Sequence, residues 1–393
     1  MGRYAWFIGG VAAWFLGAGM QQVLFAWLLV GELHQDSQWV GTAQMCQTLP
    51  ALLFLLLGGL IADRLDRRRL LVVLHALAAV AAGGMGVTVG TGLLSLGVVI
   101  LYGLSWGTLA AFAQPARDAL LSEVAAGDLM RAVTGAALAQ FAAQAVGARL
   151  AGFCGRLGSP AALGLQAAVF GAGMVMAWRL PPAPPIRTRT GGGTALSAIR
   201  EGLREVARSE RLRPVAVLVA CDGLFFMGPF IVLCPLMVRD VYHGGITELS
   251  LVVMALTAGT IGGSLVVLLR GGLRRKGLAF LLALLGVASC LVALEAPLSF
   301  REFLAVMVAW GICHSLFFNT SRALFQEAAT PSHRARVLSV HSLGLLGMAP
   351  LSNLATGFVS NIVGPRTTCA LAGVAMLAIT AAAWVVTPVR QLE

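Results

Sequence analysis

Two ionisable side chains lie near the middle of long apolar runs, where a charge is costly. Asp222 follows Arg213 by nine residues, which is about 13 Å of helix, and His314 lies at a similar depth from Arg322. Burial disfavours a charged carboxylate, and a histidine can exchange protons near neutral pH. We therefore predict that Asp222 and His314 carry coupling protons. The alternatives are a structural hydrogen bond or ion pair for the acid and a packed core histidine.

Uncharged polar residues within the apolar runs predict the walls of a cavity. Unpaired polar groups are costly in hydrocarbon, so these residues should face either a cavity or a partner. Gln44 and Gln47 share a helical face, as do Gln140 and Gln144. Aromatic residues can add apolar wall, although they serve packing just as often. The predicted cavity residues are Gln21, Gln22, Trp27, Gln44, Gln47, Gln140, Gln144, Phe226, Trp310 and Asn319.

The elements that must position these residues are membrane-spanning helices. The chain has 393 residues, of which 58% are hydrophobic and only 11% charged, whereas soluble domains use about 25% charged residues. Period-2 alternation is absent, which argues against an outer-membrane barrel. A run of about 20 apolar residues crosses a bilayer. Twelve spans are predicted, at 4–31, 38–62, 70–90, 93–116, 132–155, 160–178, 214–238, 247–269, 277–294, 300–321, 336–359 and 365–388.

Basic residues predict the orientation of these spans. With the N-terminus inside, 23 of the 28 Lys and Arg residues fall on the cytoplasmic side, as the positive-inside rule requires. We therefore predict a multi-pass protein of a bacterial-type cytoplasmic (inner) membrane, with both termini cytoplasmic. The net charge of +11 requires no nucleic-acid partner, because orientation and contact with anionic lipid headgroups account for it.

A proline- and glycine-rich stretch separates six spans from the next six. We predict an N-terminal bundle at 1–180, a cytoplasmic linker at 181–212 and a C-terminal bundle at 213–393. Helical spacing of apolar residues in the linker predicts an amphipathic helix, which could lie on the membrane, against the bundle or in solvent.

A faint repeat relates the two halves. Gln114 and Arg117 match Asn319 and Arg322 at an offset of 205 residues. Transporters use such a layout to rock around a central site. The expected fold class is therefore an all-α membrane protein with twelve transmembrane helices in two six-helix pseudo-symmetric bundles around a central cavity.

The stretch GGLIADRLDRRRLL at 58–71 predicts a conformational latch. Asp63 at a helix end can accept hydrogen bonds from the N-terminus of another helix and from an arginine, for which Arg336 is the predicted partner. Arginines later in the stretch are predicted to reach Asp118 or Glu123. The alternative is that these arginines only satisfy the positive-inside rule. The predicted latch residues are Asp63, Arg64, Arg67, Arg68, Arg117, Asp118, Glu123 and Arg336.

The same stretch resembles the signature of the major facilitator superfamily, G-x-L-A-D-R-x-G-R-R, although Asp66 stands where the glycine usually lies. The resemblance covers the whole chain through the twelve spans, the repeat and the central linker. Leu49-Pro50, DRRRLL and FAQPARDALL at 112–121 look like the enterobactin-exporter-like branch. That resemblance implies efflux of a siderophore or drug-like compound.

One position departs from the exporter pattern. Exporters of the superfamily often carry a glycine–proline motif in the fifth helix, where this chain has Gly147, Ala148 and Arg149. Loss of the proline removes an expected helix distortion, which weakens an antiporter assignment. Arg149 either snorkels to the interface or attracts an anionic cargo.

We predict a secondary transporter that works by alternating access and exports a small amphipathic or hydrophobic compound with proton coupling. The alternatives are a lysophospholipid or lipid translocator, an organic-anion importer, and a non-transporting scaffold or sensor. An enzyme is disfavoured because the sequence has no GxxxxGK[ST] or HExxH motif, and GLSWG at 103–107, its match to GxSxG, lies inside the predicted span 93–116 and offers no nucleophile constellation. The seven cysteines form no CxxC pair, so no metal or cofactor is expected. The expected partners are a small-molecule substrate, protons and membrane lipids, and the chain is expected to be a monomer.

Overall fold

The fold is helical throughout the part of the chain that the structure, a computed structural model, describes. The described residues are 2–124, 129–182, 195–269, 273, 275–328 and 334–392, without the side chains of 55–64, 122, 129–131, 195–199 and 334–335. The helices are α1 (Arg3–Trp27), α2 (Ser37–Arg64), α3 (Arg67–Gly90), α4 (Leu96–Val124), α5 (Leu129–Cys154), α6 (Ser159–Trp178), α7 (Ala195–Arg208), α8 (Leu212–Phe225), α9 (Cys234–Asp240), α10 (Ile246–Leu269), α11 (Lys276–Ala293), α12 (Phe300–Ala328), α13 (Arg334–Val363) and α14 (Pro365–Val386). A helix satisfies its backbone hydrogen bonds within its own segment, which is what the apolar runs need in hydrocarbon.

Ten helical stretches within the described residues are long and apolar enough to cross a membrane, and they contain 18 to 30 residues each. They correspond to ten of the twelve predicted spans. The other two predicted spans, 38–62 and 132–155, fall on α2 and α5, which are 28 and 26 residues long. The chain is therefore a multi-pass membrane protein, while the number of twelve spans stays a prediction.

The first of two compact units consists of Met1–Gln35, Cys46–Thr190 and His243–Val253. In this unit α1 packs on α5 and α6, and α3 packs on α4 and α6. A Cβ atom at Gly147 would clash with the carbonyl oxygen of Leu16, so only glycine allows α1 and α5 to approach this closely. Gly147 therefore has a packing role, although the proline of the exporter pattern is missing after it.

Aromatic side chains fill the core of the first unit. Trp14 stacks on Trp106 at 5.4 Å between ring centroids and meets the edge of His75 at 5.1 Å. Phe170 lies 5.7 Å from Trp14. The Nδ1 atom of His75 is 2.8 Å from the carbonyl oxygen of Leu71, which fixes the ring orientation. This histidine is a packed core residue.

The second compact unit consists of Asp36–Met45, Gly191–Tyr242 and Met254–Glu393. In this unit α11 packs on α12 and α14, and α13 packs on α8 and α7. The predicted bundle boundaries at 180 and 213 stay a prediction.

The amphipathic helix of the linker, α7, lies against α13. A Cβ atom at Gly202 would lie 2.7 Å from the carbonyl oxygen of Arg336. Arg336 also forms an ion pair with Glu201, with 2.6 Å between Nη1 and Oε2. Val206 is buried on the same helix. Of the three environments considered from the sequence, the structure shows packing against the bundle.

Turn geometry recurs in the two halves of the sequence. Gly158 precedes α6 with φ of 97°, and Gly364 precedes α14 with φ of 87°. His34 and His243 are the non-glycine residues with positive φ in the described chain, at 48° and 49°. Each follows a helix that contains a π-helical turn, at Leu28–Glu32 or at Pro229–Leu233. These equivalent turns support the internal repeat that the sequence predicts.

Candidate functional site

A cavity of about 320 Å³ lies within the second unit, at the low end of the range for ligand pockets. It is bounded by the segment after α8 and by the facing surfaces of α12 and α13. Most of its wall is apolar, with a few polar groups. The described lining residues are Met227, His314, Phe318, Arg322, Leu338, His341, Ser342, Leu345 and Leu346.

Two histidines belong to this cavity. His314, predicted as a proton carrier, is half-buried and its ring lies 5.9 Å from that of Phe317. His341 is buried, and its Nε2 atom lies 2.9 Å from the Ser321 hydroxyl oxygen. The rings of Phe318 and Phe325 both form T-shaped pairs with His341, with 6.0 and 5.1 Å between ring centroids. His341 is thus held more firmly than His314.

Asp222, the second predicted proton carrier, lies on α8 and is only 1% exposed. Neither carboxyl oxygen has a hydrogen-bond partner among the described residues. The adjacent Gly223 packs closely against the carbonyl oxygens of Gly344 and Leu345 on α13. A charged carboxylate at the centre of a membrane costs about 3 kcal/mol or more, so an unpaired acid here is a candidate for function.

Gln21 lies in a buried hydrogen-bond network of the first unit. The Tyr102 hydroxyl donates to Gln21 Oε1 at 2.5 Å, and Gln166 Nε2 donates to the same oxygen at 2.9 Å. Gln166 Nε2 also lies 3.0 Å from the carbonyl oxygen of Gly17. These bonds join α1, α4 and α6. Gln21, predicted to line a cavity, therefore has hydrogen-bond partners in the first unit, and its cavity role stays a prediction.

The other predicted cavity residues are distributed over several helices, and none is among the described residues that line the cavity of the second unit. Trp310 is buried against Phe230, with 6.1 Å between ring centroids. Asn319 donates to the Ser315 carbonyl at 2.9 Å and lies 3.3 Å from the Ser264 hydroxyl. Gln44 and Phe226 are buried, whereas Gln22, Trp27, Gln47, Gln140 and Gln144 are half-buried.

The predicted latch arginines of the first unit have well-defined partners. Arg67 is buried and forms an ion pair with Glu123, which is one of the two carboxylates that the sequence places within reach. Arg68 donates to the carbonyl oxygen of Trp178 at 2.5 Å. Asp118, the other carboxylate, accepts from Gln114 Nε2 at 2.9 Å. These contacts join the start of α3 to the ends of α4 and α6.

Arg117 is enclosed in the core of the first unit. Its guanidinium carbon lies 4.9 Å from the ring centroid of Trp14 and 4.8 Å from that of Phe15. Its Nη2 atom donates to Gln114 Oε1 at 2.9 Å. Cation–π contacts of this kind fix a guanidinium by its surroundings.

The remaining latch prediction, the pairing of Asp63 with Arg336, stays a prediction. The side chains of Asp63 and Arg64 lie outside the described residues. The partner that the structure shows for Arg336 is Glu201 on α7. If Asp63 also binds Arg336, the two carboxylates must share or exchange it.

Comparisons with known proteins agree with this architecture. A model of the transmembrane secretion effector family matches residues 3–393. No match to a curated protein sequence was found. A solved structure of the nucleoside transporter NupG shares 13% sequence identity at a TM-score of 0.78, over 97% of this chain and 98% of that one.

Two further solved structures are similar. A bacterial homolog of the human lysosomal transporter Spinster, inward-facing and unoccupied, has 14% identity and a TM-score of 0.70, covering 99% of this chain and 96% of that one. A D-xylose-proton symporter has 13% identity and a TM-score of 0.72, covering 99% and 98%. At such low identity these likenesses show the fold alone. Because the family model spans almost the entire sequence, the predicted superfamily is confirmed: the chain belongs to the transmembrane secretion effector family of the major facilitator superfamily.

Proposed function

We propose that this protein is a secondary transporter that works by alternating access and exports a small amphipathic or hydrophobic compound. The observation that carries the proposal is the cavity of about 320 Å³ in the second unit, where an apolar wall surrounds His314, Arg322 and His341. Membership in the transmembrane secretion effector family supports transport. The match of DRRRLL and FAQPARDALL to the enterobactin-exporter-like branch supports a siderophore or drug-like cargo.

The transport cycle is proposed to occur between two six-helix bundles of an inner-membrane protein with cytoplasmic termini. In this proposal the chain acts as a monomer, and membrane lipids surround it. The ion pair of Arg67 with Glu123 would stabilise the cytoplasmic ends of α3 and α4, and Asp63 would complete the latch. Formation and loss of the Asp63 contacts would then accompany closing and opening.

Proton coupling is proposed to involve Asp222 and His314. Asp222 is buried without a described partner, so gain and loss of a proton would change the energy of its site strongly. His314 lies at the cavity, where a bound cargo could alter its proton exchange. Efflux coupled to proton entry would make the protein an antiporter.

The test is flux in reconstituted vesicles with an imposed proton gradient and a panel of amphipathic compounds. Asp222→Asn is expected to lower gradient-driven flux at least about tenfold, since a neutral amide cannot cycle its charge. Asp240→Asn is the matched control, because Asp240 is exposed at the end of α9 and pairs with Arg239. His314→Ala is compared with His243→Asn, which keeps a residue that tolerates the positive φ of that exposed turn.

Each outcome of the flux measurement favours one of the functions considered. Flux that ignores the gradient would remove proton coupling, and flux only of lysophospholipids would favour a lipid translocator. Inward flux of organic anions would favour an importer. No flux of any compound, with protein correctly inserted, would favour a scaffold or sensor.

A further inference from the structure

We infer that the cavity of the second unit is a subsite for the anionic group of an amphipathic organic acid. This inference rests on the proposed transport function and specifies its cargo. The ionisable residues among the described lining are His314, Arg322 and His341, all of them basic. The nearby acid Asp222 is buried and is not one of the described lining residues. The charge of this wall therefore complements a carboxylate.

The positive charge comes from Arg322. Its side chain is exposed, and no described carboxylate forms an ion pair with it. An arginine without an internal counter-ion at the rim of a cavity can bind a carboxylate through two parallel hydrogen bonds. A bound anion would then supply the counter-charge that the described residues do not.

The repeat provides an internal comparison for Arg322. Its counterpart in the first half is Arg117, which is covered by Trp14 and Phe15 and bonded to Gln114. The same residue type is thus used for packing in one half and is left accessible at a cavity in the other. Packing alone does not account for an arginine at the second position.

His341 provides a fixed polar group beside the arginine. The Ser321 hydroxyl donates to the carbonyl oxygen of Phe318 at 3.1 Å, so its oxygen is free to accept from His341 Nε2 at 2.9 Å. The two flanking phenylalanine rings restrict the imidazole further. His341 thus forms a fixed side of the cavity beside Arg322, whose guanidinium supplies the hydrogen-bond donors for the carboxylate.

The rest of the wall defines the body of the cargo. Met227, Leu345 and Leu346 present apolar surface, and Phe318 adds an aromatic face. A sugar or nucleoside would leave most of its hydroxyl groups unpaired against such a wall, at a cost for each buried polar group. The cavity of about 320 Å³ fits the head of an organic acid and the first part of an apolar body.

The test is binding of three fluorescent probes that share one dansyl-alkyl body and end in a carboxylate, a methyl ester or an amine. Each is titrated into the purified full-length protein, with binding to protein-free detergent micelles subtracted. The carboxylate is expected to bind about tenfold more tightly than the ester, the amine more weakly than both. Arg322→Gln is expected to abolish the preference for the acid over the ester without changing ester binding.

Two further variants keep the result interpretable. Arg275→Gln removes an exposed arginine that does not line the cavity, and it is expected to leave all three affinities unchanged. Ser342→Phe adds bulk to the cavity wall, and it is expected to weaken the acid and the ester alike by about tenfold.

Equal binding of acid and ester to the wild type would overturn the anion subsite, as would an acid preference that survives Arg322→Gln. Unchanged ester binding by Ser342→Phe would place the probe elsewhere and would overturn the location. The transport proposal is tested separately, by the flux measurements in vesicles. Flux of neutral compounds without acid preference would support transport and contradict the anion subsite. Acid binding that depends on Arg322 but gives no flux would support the subsite and contradict transport.

Discussion

Adjacent glutamines on α1 offer a direct test of the division between structural and cavity-facing polar residues. Gln21 accepts hydrogen bonds from Tyr102 at 2.5 Å and from Gln166 at 2.9 Å, whereas Gln22 is half-buried and has no bond to another described side chain. Leucine at either position keeps nearly the same volume. Gln21→Leu is therefore expected to destabilise the protein, and Gln22→Leu is not.

The magnitude follows from the two bonds that are lost. Hydrogen bonds between membrane helices contribute about 0.6 kcal/mol each on average, which gives about 1 kcal/mol for Gln21→Leu. The cost stays near this value because Tyr102 keeps Gln166 Oε1 at 3.2 Å as a partner and Gln166 keeps the Gly17 carbonyl at 3.0 Å. Gln22→Leu is expected to change the free energy of unfolding by less than about 0.5 kcal/mol.

The assay is unfolding in mixed micelles by titration with sodium dodecyl sulfate, followed by tryptophan fluorescence. Flux in vesicles is measured for the same variants. Equal stability of the two variants would refute the structural assignment of Gln21. Loss of flux in Gln21→Leu at full stability would support the cavity role that the sequence predicts for this residue.

Three more predictions concern an ion pair, the packing of α7 and the proposed latch. Arg67→Gln removes the ion-pair partner of Glu123 and is expected to lower the free energy of unfolding by about 2 kcal/mol. The double variant Arg67→Gln/Glu123→Gln is expected to recover part of this loss. A double variant as unstable as the single one would contradict the prediction. Gly202→Val places side-chain atoms against the backbone of α13 and is expected to release α7 from the bundle. Trypsin should then cleave within α7 faster than in the wild type. Ala207→Val, on the exposed face of the same helix, is the control and should be cleaved at the wild-type rate. Asp63→Asn is expected to reduce flux at a normal level of inserted protein, and unchanged flux would rule out the latch.

The helices were predictable because their signal is local. Apolar length and the placement of arginines give the spans, and Arg67 and Glu123 are close because they lie at neighbouring ends of α3 and α4. The sequence also indicates the packing of α7 on the bundle, because Gly202 interrupts an otherwise charged and aliphatic helix. Its effect depends on Arg336, 134 positions later in the sequence.

The residues that line the cavity were less predictable, because they depend on which face each helix turns toward it. Gln21 and Gln22 are equivalent in sequence, and the approach of Tyr102 from α4 and Gln166 from α6 separates them. Met227 and Leu345 line the cavity, but their residue types are common in membrane helices and do not indicate a binding site. His314 was recognisable by its ionisable side chain and its depth, whereas the cavity beside it was not.

The different environments of Arg117 and Arg322 decide how freely each position can be mutated. Arg117 is enclosed by two aromatic rings, so its replacement would disturb the packing of α1 and α4. Arg322 is exposed, and exchanges at exposed positions usually change stability by less than about 0.5 kcal/mol. An exchange at Arg322 is therefore expected to leave the fold intact, whereas an exchange at Arg117 is not. Equivalent positions of the predicted repeat thus hold one arginine that the core fixes and one that can be replaced without unfolding the chain.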